Sequence, residues 1–167
     1  MSTPDIVRPP KMAIARAEIA IRTVVPADAP DVAVFIERII ASSVDATAVE
    51  KESFVRNVRS NLDAWQRHPQ GALHLKGVDV DGALAGVVMV KSFWNLCHLF
   101  VEPGFQRQGV GKSLLEAAIA GCRGRSPRQC LRLNSSRNAA GFYQRMGFTL
   151  AVDAPPADAG IQYELRL

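Results

Sequence analysis

Apolar and polar positions in this 167-residue chain repeat first with a period of two, then three to four, then two again. Ala17 to Val25 alternates, with Ile19, Ile21 and Thr23 on successive even steps, and reads as a strand. Pro26 and an Asp28 cap end it and start a helix whose Val32, Phe35, Ile36, Ile39 and Ile40 share one face. Phe54, Val58, Leu62 and Trp65 form the stripe of a second helix over Val49 to Gln66, broken by Pro69-Gln70-Gly71. Strands over Ala72 to Val80 and Ala83 to Phe93 flank Asp81-Gly82, a hairpin signal, and Asn95 to Val101 is the next strand. Val110, Leu114, Ala118 and Cys122 stack on one side of a further helix. Gln129 to Asn134 reads as a short strand, Asn138 to Met146 as a short helix, and Phe148 to Val152 with Gln162 to Leu167 as the last strands. Pro155, Pro156 and Gly160 mark a surface loop between them. The order β-α-α-β-β-β-α-β-α-β-β mixes hairpins with crossovers, which predicts an α/β (α+β) fold with a mixed sheet.

The chemistry concentrates in Gln106-Arg107-Gln108-Gly109-Val110-Gly111-Lys112-Ser113, between the Asn95–Val101 strand and the helix that follows. A strand, a Gly-rich turn and a helix start aim unpaired backbone N–H groups and a positive dipole end at one point, as anion sites do. The P-loop pattern ends correctly at Gly111-Lys112-Ser113, but its first Gly falls on Gln106. The dinucleotide pattern fails because Leu114 stands at its third Gly.

Gln106-x-x-Gly109-x-Gly111 instead resembles the acyl-CoA pyrophosphate loop of the GNAT superfamily of N-acyltransferases. Leu99-Phe100-Val101-Glu102-Pro103 resembles the strand that precedes it. Asn138-Ala139-Ala140-Gly141-Phe142-Tyr143-Gln144-Arg145-Met146-Gly147-Phe148 resembles the second signature, Asn-x-x-Ala-x-x-Phe-Tyr followed by Gly-Phe, taken from Asn138. The three occur in the expected order, and the resemblance spans about Ile19 to Leu167.

The resemblance implies the GNAT fold, in which the strand before the loop and the strand after the next helix splay apart and admit the pantetheine arm. It implies acetyl-CoA as acyl donor, with Leu99, Phe100 and Val101 along the arm and Gln106 to Ser113 (Gln106, Arg107, Gln108, Gly109, Val110, Gly111, Lys112 and Ser113) on the pyrophosphate. Acyl transfer to an amine must remove a proton from the amine, stabilise an oxyanion and protonate a leaving thiolate. The resemblance gives the oxyanion to a backbone N–H near Phe100 or Val101 and the general acid to Tyr143, which alternatively is a packed aromatic. Asn138 either bonds the CoA arm or caps its own helix. Where many relatives place a Glu base this chain has His98, a group that titrates near neutrality or else merely lines the sheet; Glu102 is an alternative base. His68 and His74 carry no motif and read as structural.

Composition bounds these expectations. One domain over residues 17–167 behind a loose 1–16 tail suits the length, with Met1 or Met12 as the start. The Pro-rich N-terminus lacks a secretory h-region, and no apolar run reaches about 20 residues. Cys97, Cys122 and Cys130 lack metal-ligand spacing and read as free thiols of a reducing, cytoplasmic compartment. Of the net charge of +4, Pro103 to Leu150 holds eight basic residues against Glu116, an excess of seven that leaves −3 elsewhere. That asymmetry suits a polyanion such as CoA, or else a solvated face at Arg123, Arg125 and Arg128; nucleic acid is disfavoured because no aromatic pattern is interleaved. The acceptor amine is expected near Ala41 to Val49, Trp94 and Asn95, and Val152 to Ile161, where Asp45, Glu50, Asp153 and Asp158 either attract a cation or are solvated. The alternative to an enzyme is a non-catalytic acyl-CoA-binding module of the same fold, and relatives suggest a possible homodimer.

Overall fold

A computed structural model describes residues 18–153 and 160–167; the N-terminal tail and the Pro155-Pro156 loop, with Asp158, lie outside the described residues. Among the described residues, seven strands form one sheet in the order β1-β2-β3-β4-β5-β7-β6. They are β1 Ala20–Thr23, β2 Ala72–Val78, β3 Leu84–Lys91, β4 Asn95–Val101, β5 Cys130–Ser135, β6 Thr149–Leu150 and β7 Ile161–Arg166. The helices are α1 Ala29–Ser43, α2 Ala48–Arg67, α3 Val110–Cys122 and α4 Arg137–Arg145. The element order is the one the periodicities predict.

β3 lies mid-sheet, and its Ala85 to Val90 stretch is buried throughout, so it reads as an unbroken apolar run. Its alternate residues feed two cores. Val88 and Val90 pack with Leu114, Leu115 and Leu131 on the face under α3. Val87 and Met89 pack with Ile36, Ile40 and Trp65 under α1 and α2. Each fully buried aliphatic side chain contributes about 1.5–3 kcal/mol.

Local chemistry places the boundaries. Thr47 and Glu50 form a capping box at the start of α2: Glu50 N–H donates to Thr47 Oγ1 at 3.3 Å, and Thr47 N–H donates to Glu50 Oε2 at 2.8 Å. Asp79 Oδ1 accepts from the N–H groups of Asp81 (2.9 Å) and Ala83 (2.8 Å), fixing the predicted hairpin turn. Three expectations are corrected. β1 begins at Ala20 rather than Ala17, and β6 spans two residues where Phe148 to Val152 was expected. The strand expected to run to Phe93 ends at Lys91, because Ser92 and Phe93 take left-handed φ angles of 53° and 59° in a tight turn.

All neighbouring strands pair antiparallel except β4 and β5, which are parallel and share one register pair, Asn95 with Arg132. β5 by contrast pairs with β7 over six positions. The sheet is therefore closed at the start of β4 and split beyond it.

Candidate active site

The split sits directly before the Gly-rich turn. Glu102 N–H donates to Ala85 O at 2.9 Å, which sets the antiparallel alternation along β4. Phe100 and His98 then turn their backbone groups toward β3, while Val101 and Leu99 turn theirs into the split. The Gln106 side chain follows that geometry, its Nε2 donating to Val101 O at 3.3 Å. Of Leu99, Phe100 and Val101, the first and third offer backbone groups to anything in the gap. Cys97 is the extra residue of a bulge, since Met89 pairs with His98 and Val90 with Leu96.

Past Val101 the chain makes one 3₁₀ turn, Pro103–Phe105, and enters α3 through Arg107 (φ 60°) and Gly109 (φ 86°). Only glycine adopts the second conformation without a Cβ penalty. Gly109 has no capping side chain and the first turn of α3 has no acidic residue, so the leading N–H groups of α3 remain available to an anion. Gln108 Nε2 donates to Gly104 O at 2.9 Å and steadies the turn. A cavity of about 360 Å³ lies along this turn and the first turns of α3, lined by Ile19, Gln108, Gly109, Val110, Lys112, Ser113 and the carboxylate of Glu116. A Cβ on Gly111 would stand 3.4 Å from Val101 Cγ2 and 3.7 Å from the Phe142 ring. Gly111 thus stands where β4, α3 and α4 meet, at distances that a Cβ would fill at ordinary contact, and joins the two sequence signatures.

α4 holds Tyr143. Its end is a Schellman arrangement: Gly147 takes φ 92°, Phe148 N–H donates to Tyr143 O at 3.0 Å, and Gly147 N–H donates to Gln144 O at 3.0 Å. This returns Phe148 to the core, edge-on to Tyr143 at 5.7 Å. Tyr143 is 8% exposed, and burial pushes its phenol up to about 12. The expected cap at Asn138 is corrected: the N-cap is Ser136, and Asn138 is the second residue of the helix. Counting seven residues back from Tyr143 on the family pattern also lands on Ser136, with Ala139 in the small position.

His98 is 5% exposed, on the face under α1 and α2, whereas Tyr143 belongs to the core under α3. Burial, then the nearby His74, pushes the His98 imidazole down to about 3. Neither of its ring nitrogens has a hydrogen-bond partner, and the same holds for His74. Glu102, the alternative base, is clasped by Arg38 of α1: Nη1 donates to Oε1 at 3.1 Å and Nη2 to Oε2. That bond holds its carboxyl below the ordinary range.

The basic half is less free than its charge suggests. Arg125 lies over the Phe93 ring at 3.8 Å and Arg128 over Trp94 at 3.6 Å, while both remain exposed as the solvated-face reading has them. Arg132 pairs with Glu164 (2.6 Å) and Asp153 (2.8 Å). Of the carboxylates that either attract a cation or are solvated, Asp153 is thus paired and Glu50 serves the α2 cap, while Asp45 is exposed. Among the described residues, no helix is long and apolar enough to cross a membrane.

Comparison with known proteins follows this geometry. The family profile described as the acetyltransferase (GNAT) domain matches residues 40–164. A GCN5-related N-acetyltransferase of Rhodopseudomonas palustris is similar over 92% of this chain and 99% of its own, with 22% identity and a TM-score of 0.70. The PaiA N-acetyltransferase of Thermoplasma acidophilum, solved with coenzyme A, is similar over 90% and 99%, with 18% identity and a TM-score of 0.72. A GNAT-family acetyltransferase of Staphylococcus aureus gives 89% and 99%, 19% and 0.65. A comparison with curated proteins finds no match. At these identities the structural likeness speaks for the fold, and the profile, which covers most of the chain, speaks for the lineage. The chain belongs to the GNAT family of acetyltransferases and is, by class, an acyl-CoA N-acetyltransferase.

Proposed function

We propose that this protein moves an acetyl group from acetyl-CoA directly to a primary amine of a small molecule, peptide or protein. The observation that carries this reading is the split between β4 and β5 opening onto the uncapped start of α3. The gap offers the backbone groups of Leu99 and Val101 to an extended amide-bearing arm, and the turn offers Gln106 to Ser113 to a pyrophosphate. The Thermoplasma relative, solved with coenzyme A, supports the same donor here.

In this reading the amine attacks the thioester carbonyl while a strand N–H, that of Val101 or Leu99, stabilises the oxyanion. The C–N bond forms and the C–S bond breaks. Tyr143 gives its proton to the departing thiolate and regains one from solvent. His98 is the candidate acceptor for the proton of the amine nitrogen, and burial, which holds its imidazole down to about 3, works against that role. Ser136 rather than Asn138 holds the motif position at the start of α4, and Asn138 stands beside it as a contact to the arm.

The test mixes purified protein with acetyl-CoA and a panel of amines while released thiol is titrated. Transfer to at least one amine is the expected result. Absence of acetyl-CoA binding by calorimetry overturns the proposal. Binding without transfer across the panel selects the non-catalytic acyl-CoA-binding module instead.

A further inference from the structure

His74 of β2, Met89 of β3 and His98 of β4 are register partners from strand to strand, so they form one row on the sheet face under α1 and α2. The three are 2%, 1% and 5% exposed. Trp65 of α2 stands edge-on to His74 at 4.7 Å and 87°. None of the four ring nitrogens of the pair has a hydrogen-bond partner. Burying two imidazoles in this way is costly, and phenylalanine or leucine would fill the same space without the cost. A buried imidazole lone pair that no hydrogen bond uses is what a metal ion requires.

The donor set selects the metal. Two imidazoles and the Met89 thioether are uncharged, and the thioether is a soft ligand. Among the described residues no three His, Cys, Asp or Glu side chains gather to hold an ion, so no carboxylate or thiolate offsets the charge of a dication here. Cys97, next along β4, directs its thiol to Asn95 O at 3.5 Å. Taking a dication out of water into a neutral set costs far more than taking a monocation. Soft, neutral ligands and a single charge together point to Cu(I). The spacing agrees: a metal–nitrogen bond of about 2.0 Å puts the centroids of two ligating rings roughly 5.5 Å apart in a trigonal site and roughly 6.3 Å apart in a linear one. The two rings here are 5.5 Å apart, with their planes at 71°. A trigonal site has one further place, and Met89 stands between the two histidines in the register. Because the ring nitrogens bond nothing else, either imidazole can turn one inward without breaking a hydrogen bond.

We propose that His74, His98 and Met89 form a Cu(I) site, with two imidazole nitrogens and one thioether sulfur around a single monovalent copper ion. Three dative bonds form and no covalent bond breaks. Both imidazoles enter neutral, no thiol takes part, and the copper stays Cu(I), so loading releases no proton and needs no oxidant or reductant. Trp65, itself 4% exposed, stands against the His74 end of the row. The burial of all four side chains keeps water from the ion, and a dry site with a soft ligand disfavours Cu(II), which takes nitrogen and oxygen ligands in a flat arrangement. Copper binding here requires no role for His98 in acetyl transfer.

The probe is Cu(I) alone, equilibrated anaerobically with the full-length protein against a chromogenic Cu(I) chelator until the buried site has loaded. The wild type is expected to hold one equivalent that the double variant His74→Phe with His98→Phe does not, with the affinity at that site lowered about 100-fold or more. Met89→Leu, which nearly keeps the volume, is expected to weaken it about tenfold. X-ray absorption at the copper edge should show two nitrogen neighbours and one sulfur. A wild type that binds no Cu(I) overturns the proposal. So does copper held equally by the double variant, which assigns the ion to the free thiols Cys97, Cys122 and Cys130. Zinc held as tightly as Cu(I) overturns the choice of metal. Should the double variant fail to fold, His74→Phe alone decides, with a loss of about tenfold or more expected and an unchanged affinity overturning the site.

Discussion

A phenol pushed up to about 12 keeps its proton across the whole working range, so Tyr143 is present as a donor throughout, although it is a weaker acid than an ordinary phenol. Tyr143→Phe should therefore lower kcat about 100-fold and leave the calorimetric affinity for acetyl-CoA nearly unchanged. The pH dependence has a sign. Tyr143 acts in its protonated form and its pKa is raised, so it should cause no loss of kcat below pH 10; a fall before that point in the pH–rate profile would belong to another group. The second residue of consequence is Gly109. Its φ of 86° makes Gly109→Ala cost about 1–2 kcal/mol, read as a drop in melting temperature, and should weaken CoA binding in parallel because the turn must reshape. Both residues stand out in the sequence as motif positions. Their physical settings do not: burial of Tyr143 depends on Phe142 and Phe148 folding around it.

Among the elements, β4 does most to define the site. One edge is bonded along β3, the other is bonded once to β5, and a bulge at Cys97 reverses which residues face the gap. Its boundaries, Asn95 to Val101, were legible from the run of apolar residues, and so were those of α3, Val110 to Cys122. The split was not, because a strand's sequence reports how apolar its surroundings are and not which neighbour completes its hydrogen bonds. The turn between β3 and β4 gives a related lesson. In the sequence Arg125 and Arg128 suit either a polyanion or a solvated face; in the fold both stay exposed and stack on Phe93 and Trp94 from the loop after α3. Arg128→Ala should lower stability by about 0.5–1 kcal/mol in chemical denaturation and leave CoA affinity as it was. A weaker CoA complex with unchanged stability would return that arginine to the ligand.

At the scale of the molecule, the two cores differ in how they respond to acid. The core under α3 is apolar apart from Tyr143 and Tyr163, whereas the α1/α2 face encloses His74 and His98. Both imidazoles have folded pKa values below the unfolded value near 6.5, so the unfolded chain binds more protons between about pH 6.5 and 3. Stability is then fully present above pH 6.5 and falls as the pH drops toward 4. Melting temperature measured from pH 7 to 4 should decline, and the double variant His74→Phe with His98→Phe should flatten that decline. An unchanged slope would place the acid sensitivity elsewhere.

The sequence by itself determined the order of the elements, the mixed sheet, the Gly-rich turn into α3 and the GNAT lineage. Each of these is written in residues close together in the chain: a hydrophobic period, a hairpin turn, a glycine at a helix start. Tertiary structure alone decided that β4 and β5 part after one register pair, that Glu102 is held by Arg38, and that Asp153 is taken by Arg132. It also decided that His74, 24 residues from His98, stands beside it. Burial and charge pairing depend on which distant segments the fold brings together, so motifs are legible locally while the setting of each side chain is decided only when the sheet closes over it.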